Sequence, residues 1–583
     1  MKNEKKAYSR EKVSFKDYLF AMAGIKLPWI FLALALAATI ASTFATMNIA
    51  TFNGAVVDEM GNVPTEKIVS YAGSYILIAA ASAATLVLAA IASEKINLGL
   101  RSRLWKKIIY TRQSCYDMDG GESLVSRVTT DCDFASKLLA TIISMVGIAI
   151  GMGIYISRML KLSKEISIAM LILIPVSVLV GWLYAKLKFV IAQKTQAMLA
   201  RTTAYLVERT KSLTLIKTAN AQGEEIENGR ENFDEQYKMQ LKTGFMNVFY
   251  TALQTIYTVL SMLIPFFIGA KLVADGVLKT GHIVAFYTIA AAVGTAATNL
   301  INSVGTIRQA NGALSRVLTA LKLPDEENAG GRTMDDPDQD VVIDHIDFSY
   351  GEKPILKDVS CLIPKNKITA IVGSNGSGKS TLFKLLDRLY DPTEGTMSFG
   401  SVNANDYDIH EWRKAFCLVA QGSPLMEGTL RENICYGCER QITNDELIKV
   451  AEKSRAYDFI EKLPDGFDTR VAPGGTNFSG GQRQLIAIAR AMMNNPDYLL
   501  LDEATSNLDS KNERAVMDAL EELMAGRTTV IIAHSLSTIR KADHVIVIRD
   551  GVVESSGTPA SILNRAGNYL EKVMSRKANT QEA

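Results

Sequence analysis

Lys367-Ile368-Thr369-Ala370-Ile371-Val372-Gly373-Ser374-Asn375-Gly376-Ser377-Gly378-Lys379-Ser380 sets an apolar strand directly before a G-x-x-x-x-G-K-[ST] loop. The next residues, Thr381-Leu382-Phe383-Lys384-Leu385-Leu386-Asp387-Arg388-Leu389-Tyr390, read as a helix. Strand, glycine-rich loop and helix in that order form a phosphate cradle. Gly373, Gly376 and Gly378 let the backbone N–H groups of the loop, those of Ser374, Asn375 and Ser377 included, wrap a β-phosphate. The helix N-terminus adds a favourable dipole, and Lys379 neutralises phosphate charge. Ser380 offers a hydroxyl to Mg²⁺, with Thr381 beside it among the nucleotide-binding residues. An α/β P-loop domain is expected, opened by the strand-like VVIDHIDFSY near Val341.

Further on, Tyr498-Leu499-Leu500-Leu501-Asp502-Glu503 is an apolar strand ending in two acids. Asp502 would hold Mg²⁺, directly or through water, and Glu503 would polarise the attacking water. Two acids can also simply cap a strand. With a phosphate loop upstream, the hydrolytic reading is preferred.

The N-terminal half has a different character. At 583 residues the chain exceeds one ordinary domain. Nearly all its long uncharged stretches lie before about Leu323. They run over 27–57, 68–93, 138–157, 166–185, 243–270 and 280–307. Each reaches the roughly 20 residues that cross a hydrocarbon core of about 30 Å. The expected layout is a six-helix transmembrane domain over 1–323, a linker over 324–340 rich in Pro, Gly and acids, and the P-loop domain over 341–583. The opening MKNEKKAYSREK lacks a cleavage site after a short apolar core, so the first run reads as a retained span.

Lys and Arg are dense in the N-terminal segment and in the stretches 94–137 and 186–242, which places both termini inside. Arg158, Lys161 and Lys164 argue the other way from a short outer loop. The long inner stretches carry apolar residues at helical spacing, so membrane helices are expected to continue into the cytoplasm and turn back. Thr295, Thr298, Asn299 and Asn302 share one face of the sixth span, and Tyr250, Gln254 and Tyr257 one face of the fifth. Such stripes face another helix or a water-filled cavity. No Asp, Glu, Lys or Arg interrupts either span, which favours a neutral or weakly charged amphiphile as the ligand of such a cavity.

The net charge of +2 carries no nucleic-acid footprint. Cys115, Cys132, Cys361, Cys417, Cys435 and Cys438 are scattered. The last two form a lone C-x-x-C without the second pair or histidines of a zinc site, and all six are expected as free thiols.

Phe478-Ser479-Gly480-Gly481-Gln482 stands just before a helix and ahead of the Asp502 strand. It resembles the LSGGQ signature of the ATP-binding-cassette family. Tyr350 matches that family's adenine-stacking aromatic, and Gln421 its glutamine between core and helical subdomain. Ser506-Asn507-Leu508-Asp509 resembles the D-loop, and His534 the switch histidine. Membrane domain first and cassette second is the half-exporter layout. The resemblance implies Mg²⁺-ATP as the bound nucleotide, with Gln421 serving both metal and catalysis, His534 catalysis, and Asp509 the nucleotide. It implies a head-to-tail dimer in which Ser479 and Gly481 of one subunit face the γ-phosphate held by Lys379 of the other, with Gly480 and Gln482 beside them among the nucleotide-binding residues. The intact hydrolytic set favours a second copy of this chain as partner over a homologous half-transporter.

The implied function is ATP-driven export of an amphipathic small molecule, peptide or lipid across the cell membrane, with membrane lipid around the spans. A lipid flippase, or a nucleotide-gated channel or regulator, is the alternative. Cys115–Arg127 resembles the segment around the exporters' first coupling helix, and 209–215 would hold the second. Three departures stand out. Pro473 in Val471-Ala472-Pro473-Gly474-Gly475 replaces an acid thought to relay nucleotide state, and Asn507 and Ser535 differ from the commonest residues.

Overall fold

Long uncharged runs of Ala, Ile, Leu and Val cannot leave backbone groups unpaired in lipid, so they close their hydrogen bonds within helices. A computed structural model describes residues 14–59, 64–326, 331–334, 339–420, 422, 424–502, 510–533 and 535–562. It separates into two compact units, one of 2–110 with 119–323, the other of Thr111–Met118 with the chain from Pro324 onward.

The first unit is helical. A short amphipathic helix α1 (Phe15–Met22) is capped by Ser14 and Asp17 in reciprocal hydrogen bonds. Then come α2 (Trp29–Asp58), α3 (Thr65–Ile109), α4 (Cys132–Leu162), α5 (Lys164–Lys211), the single turn and a half of α6 (Leu213–Thr218), α7 (Gln222–Ala274) and α8 (Thr280–Leu321). Among the described residues five of these, α2, α3, α4 with the turns preceding it, α7 and α8, are long and apolar enough to cross a membrane. The expected fourth span, 166–185, lies within α5. At about 1.5 Å per residue α7 is about 80 Å long and α5 about 72 Å, far more than a bilayer needs.

Small residues set the helix contacts. A Cβ on Gly54 of α2 would stand 2.7 Å from the Gly281 carbonyl oxygen of α8, and Gly151 of α4 lies against Thr43 of α2. This is close helix packing where no hydrophobic force separates lipid from neighbour. The most extensive pairings are α2 with α3, α4 with α8, and α5 with α7. Tyr155, Met159, Ile166, Met170, Phe286 and Ile289 form a core where α4, α5 and α8 meet. Pro175 interrupts α5 and Pro265 interrupts α7. Just before α4 the chain makes one π turn, Arg127–Asp131, and Arg316 of α8 grips its last residue, Asp131, with two hydrogen bonds of 2.5 and 2.9 Å.

The second unit holds two sheets. β1 (Val341–Tyr350), β2 (Lys353–Ile363), β4 (Glu394–Phe399) and β5 (Val402–Asn403) form an antiparallel sheet in the order β2-β1-β4-β5. β3 (Ile368–Val372), β6 (Phe416–Val419), β9 (Tyr498–Asp502), β10 (Thr528–Ile532), β11 (His544–Arg549) and β12 (Val552–Gly557) form the second, ordered β12-β11-β3-β10-β9-β6 and parallel except at β12. Its central strands β3 and β10 are almost wholly buried and mostly apolar, with Thr369, Thr528 and Thr529 the buried polar exceptions, because both faces are covered. A small pair, β7 (Gly428–Thr429) with β8 (Arg470–Val471), lies in a helical region. Trp412, Phe416 and Tyr498 stack in series, with centroids 4.7 Å apart at each step, and fill the main core. A second core surrounds the helix α10 (Gly480–Asn494), whose Leu485, Ile486 and Ile488 pack against β9 residues Leu499 and Leu501. The segment after Leu323 is partly tied down, since Glu326 accepts two hydrogen bonds from Arg413, at 3.0 and 2.8 Å.

Candidate nucleotide site

The parallel register brings the chemistry to one edge. Ile532 of β10 pairs with Ile371 of β3 on one side and Asp502 of β9 on the other. Two strand spacings, about 10 Å, therefore separate the start of the glycine loop from the acid. Both lie at the carboxyl ends of the strands, where open α/β sheets bind ligands.

The loop is built for close approach. A Cβ on Gly373 would lie 2.1 Å from the Ile548 carbonyl oxygen, and Gly378 has φ +105°, so neither position accepts a side chain. Gly378 caps the helix α9 (Lys379–Leu386). Lys379 is 6% exposed and donates from Nζ to the Gly373 and Ser374 carbonyls, both at 2.9 Å. The ammonium thus closes a ring over the loop. The Ser377 hydroxyl is buried in the same loop with no hydrogen-bond partner among the described residues. A buried donor left unmade is costly, and a phosphate oxygen would complete it. Asn375 and Gly376 are exposed at the mouth, Ser380 is exposed beside them, and Thr381 is buried. Half-buried Asp502 and the Ser380 hydroxyl are hard oxygen donors suited to Mg²⁺, which keeps waters and substrate oxygens as its other ligands. No cluster of three or more His, Cys, Asp or Glu side chains forms an independent metal site among the described residues.

Tyr350 ends β1 half-buried, its ring edge-on to Phe348 and to Tyr390 at 4.9 and 5.3 Å. Lys384 Nζ lies 5.4 Å from the Tyr350 ring and 5.5 Å from that of Tyr390. The Tyr390 hydroxyl donates to the carboxylate of Asp117, and burial first, then that carboxylate, pushes the phenol above its ordinary range. Tyr390, Lys384 and Asp117 were not expected at this place. Tyr390 and Lys384 follow the loop in the expected helix, but nothing in their spacing marks them. Asp117 comes from a remote stretch that only folding brings near.

Ser479 caps α10. Its hydroxyl accepts from Gln482 N at 3.2 Å, and Gln482 Oε1 accepts from Ser479 N at 2.9 Å. Phe478 is buried in the second core and anchors this turn, while Ser479 and Gly480 are exposed at the helix head and Gly481 is buried. Pro473 opens an exposed 3-10 turn with Gly474 at φ +68°. Ser535 caps the short helix Leu536–Lys541. Gln421, Glu503, Asn507, Asp509 and His534 lie outside the described residues.

Within the membrane helices the polar stripes divide. Gln254 Nε2 donates to Thr298 Oγ1 at 2.9 Å, and Tyr250 stacks on Tyr184 with centroids 3.7 Å apart. Gln254, Thr298 and Tyr250 of the stripes are thus engaged in helix–helix contact. Thr295, Asn299 and Asn302 stay on an exposed face of α8. Residues 113–126 form two short helices broken at Gly120, and α6 presents Leu213 and Leu215 to the surface.

Residues 30–296 match the model of the ABC transporter transmembrane region, and residues 356–506 match that of the ABC transporter. A multidrug resistance ABC transporter ATP-binding and permease protein of Lactococcus lactis subsp. lactis is 31% identical over 569 residues, covering 96% of this chain and 95% of its own. An ATP-dependent lipid A-core flippase of Photorhabdus laumondii is 31% identical over 486 residues, covering 82% and 83%. A flippase of the same description from Saccharophagus degradans is 30% identical over 475 residues, covering 81% and 80%.

Proposed function

The chain belongs to the ABC transporter family, and from that premise we propose that it exports an amphipathic molecule across the cell membrane, driven by ATP hydrolysis in a dimer. The observation that carries this reading is a single chain joining a built phosphate cradle to helices far longer than a bilayer. Relatives over most of its length are named for multidrug resistance and for lipid A-core flipping, and both names describe amphiphiles. A lipid is therefore as fitting a cargo as a drug-like molecule. The exposed Thr295, Asn299 and Asn302 face gives hydrogen bonds without fixed charge.

In the proposed mechanism the loop 373–378 and Lys379 hold the β- and γ-phosphates, and Tyr350 takes the adenine ring. Ser380, Asp502 and Gln421 would hold Mg²⁺, which would neutralise phosphate charge. Glu503 orients and deprotonates the attacking water, and His534 holds the γ-phosphate side. Ser479 and Gly481 approach from the second subunit. Binding favours the closed pair, and hydrolysis removes that bias. A swing from 1:99 to 99:1 needs about 5.5 kcal/mol of differential affinity. The segments 115–127 and 209–215 pass closure to the membrane helices, and the Lys and Arg bias keeps both termini and the cassette cytoplasmic.

Inverted membrane vesicles test the reading. ATP should drive accumulation of a fluorescent lipophilic amphiphile or a labelled lipid against its gradient, and Glu503→Gln should bind ATP yet abolish both turnover and accumulation. A channel would only dissipate a gradient. Near-normal ATPase in Glu503→Gln would remove the general-base assignment.

A further inference from the structure

The C-x-x-C pair has no part in nucleotide binding, yet it is attached to the helix that carries the signature. The helix Leu430–Ile434 ends at Cys435, and the chain turns at once. Cys438 N donates to the Cys435 carbonyl at 3.1 Å, and Gly437 sits at φ +90°, the conformation a type II turn requires at its third residue. Such a turn brings its first and fourth Cα atoms within about 7 Å, inside the span that a disulfide bridges. Both side chains pack against the same core cluster, and the Cys438 thiol is near enough to act on the charge of Cys435. Both are free thiols.

The turn is clamped to the far end of α10. Asn494, the last residue of that helix, accepts from Cys438 Sγ at 3.2 Å and donates from Nδ2 to the Tyr436 carbonyl at 3.2 Å. One turn earlier, Arg490 donates to the Asn433 carbonyl at 2.8 Å and to its Oδ1 at 3.1 Å. The segment 433–438 is therefore hydrogen-bonded along the C-terminal turn of the helix whose other end is Ser479.

We propose that Cys435 and Cys438 are an oxidisable dithiol whose closure to an intrachain disulfide lowers ATP turnover by loosening the C-terminal anchorage of the signature helix. The oxidant is a low-molecular-mass disulfide. One thiolate attacks it to give a mixed disulfide and release one thiol. The second cysteine then displaces the other half, forming the internal S–S bond and releasing a second thiol, with both protons leaving on the products. Closure removes the S–H that Asn494 accepts from. Burial pushes both thiols above the ordinary thiol range, so the thiolate fraction that starts the exchange is small.

The ATPase half of this inference rests on the nucleotide-site reading; the covalent half does not. Full-length protein in lipid nanodiscs would be equilibrated with mixtures of oxidised and reduced glutathione. Remaining thiols are then alkylated and the peptides weighed. The peptide holding both cysteines should appear lighter by two hydrogens and unalkylated, while Cys115, Cys132, Cys361 and Cys417 remain alkylated. ATPase should fall by about fivefold, the scale of one lost hydrogen bond, and return with dithiothreitol. Cys435→Ser and Cys438→Ser should keep their activity under the same treatment. A glutathione adduct without ring closure, or no bridge at a poise that closes the same pair in unfolded chain, overturns the site. A bridge with unchanged ATPase overturns its effect on turnover. Absence of ATPase in the reduced protein would instead count against the nucleotide-site reading, with the bridge still decided by mass.

Discussion

A methyl group on Gly281 would lie 2.0 Å from the Gly54 carbonyl oxygen and 2.6 Å from the Asp58 carboxylate. That carboxylate accepts from Gly281 N at 2.7 Å and so caps the first turn of α8. Backbone on one side and a cap on the other leave nothing flexible to yield. Gly281→Ala should therefore cost about 1–3 kcal/mol, the scale of overpacking. Gly294→Ala, which would only touch the Tyr257 ring edge at 3.4 Å, should be nearly neutral. Melting temperatures of the two variants in one detergent decide this, and equal values would mean that α2 and α8 separate freely here. The Gly54–Gly281 approach was not legible in the sequence, because two glycines separated by so much chain carry no spacing that pairs them. Gly373 and Gly378 were legible, because a local motif fixes both.

At the scale of elements, the strands came through with their chemistry. VVIDHIDFSY is β1 to the residue, and the acid expected at the end of an apolar strand ends β9. The helix after the phosphate loop stops at Leu386, before the expected Tyr390, because Arg388 takes φ +50°. No glycine marked that stop. The π turn was likewise hidden, since it is a shift of hydrogen-bond partner rather than of composition. Its clasp is lopsided: Asp131 is 7% exposed at its side chain, Arg316 58%. Removing the arginine strands a buried carboxylate, whereas removing the acid frees a cation already in reach of water. Arg316→Ala should then destabilise by about 3 kcal/mol and Asp131→Ala by about 1 kcal/mol. Chemical denaturation monitored at the helical signal would rank them, and the reverse order would show that the π turn, not α8, bears the exposed end of the pair.

For the whole molecule, the prediction concerns pairing. A linked dimer with Lys379→Ala in one half and Ser479→Arg in the other should keep one working site, because head-to-tail assembly puts both lesions together. With both changes in the same half, each site carries one lesion and turnover should fall to background. Equal ATPase in the two arrangements would reject trans pairing. The division into membrane and cassette parts was legible from charge alone. That Thr111–Met118 clusters with the cassette was not, since those residues precede it by more than two hundred positions and only folding brings Asp117 to Tyr390 and Arg112 to Asp325.

Pro175 stands about 16 Å from the start of α5, and Pro265 about 14 Å from the end of α7. These two helices run antiparallel against one another. Each proline withholds a backbone N–H and crowds the carbonyl four residues earlier, so each helix has a weak joint toward the same end of the pair. Below the joints lies unbroken helix, about 55 to 65 Å of it in each. The pair is two stiff shafts with a weak joint in each near the end away from the charged extensions. A bend at either joint would swing the short segment beyond it and leave the long shafts in register.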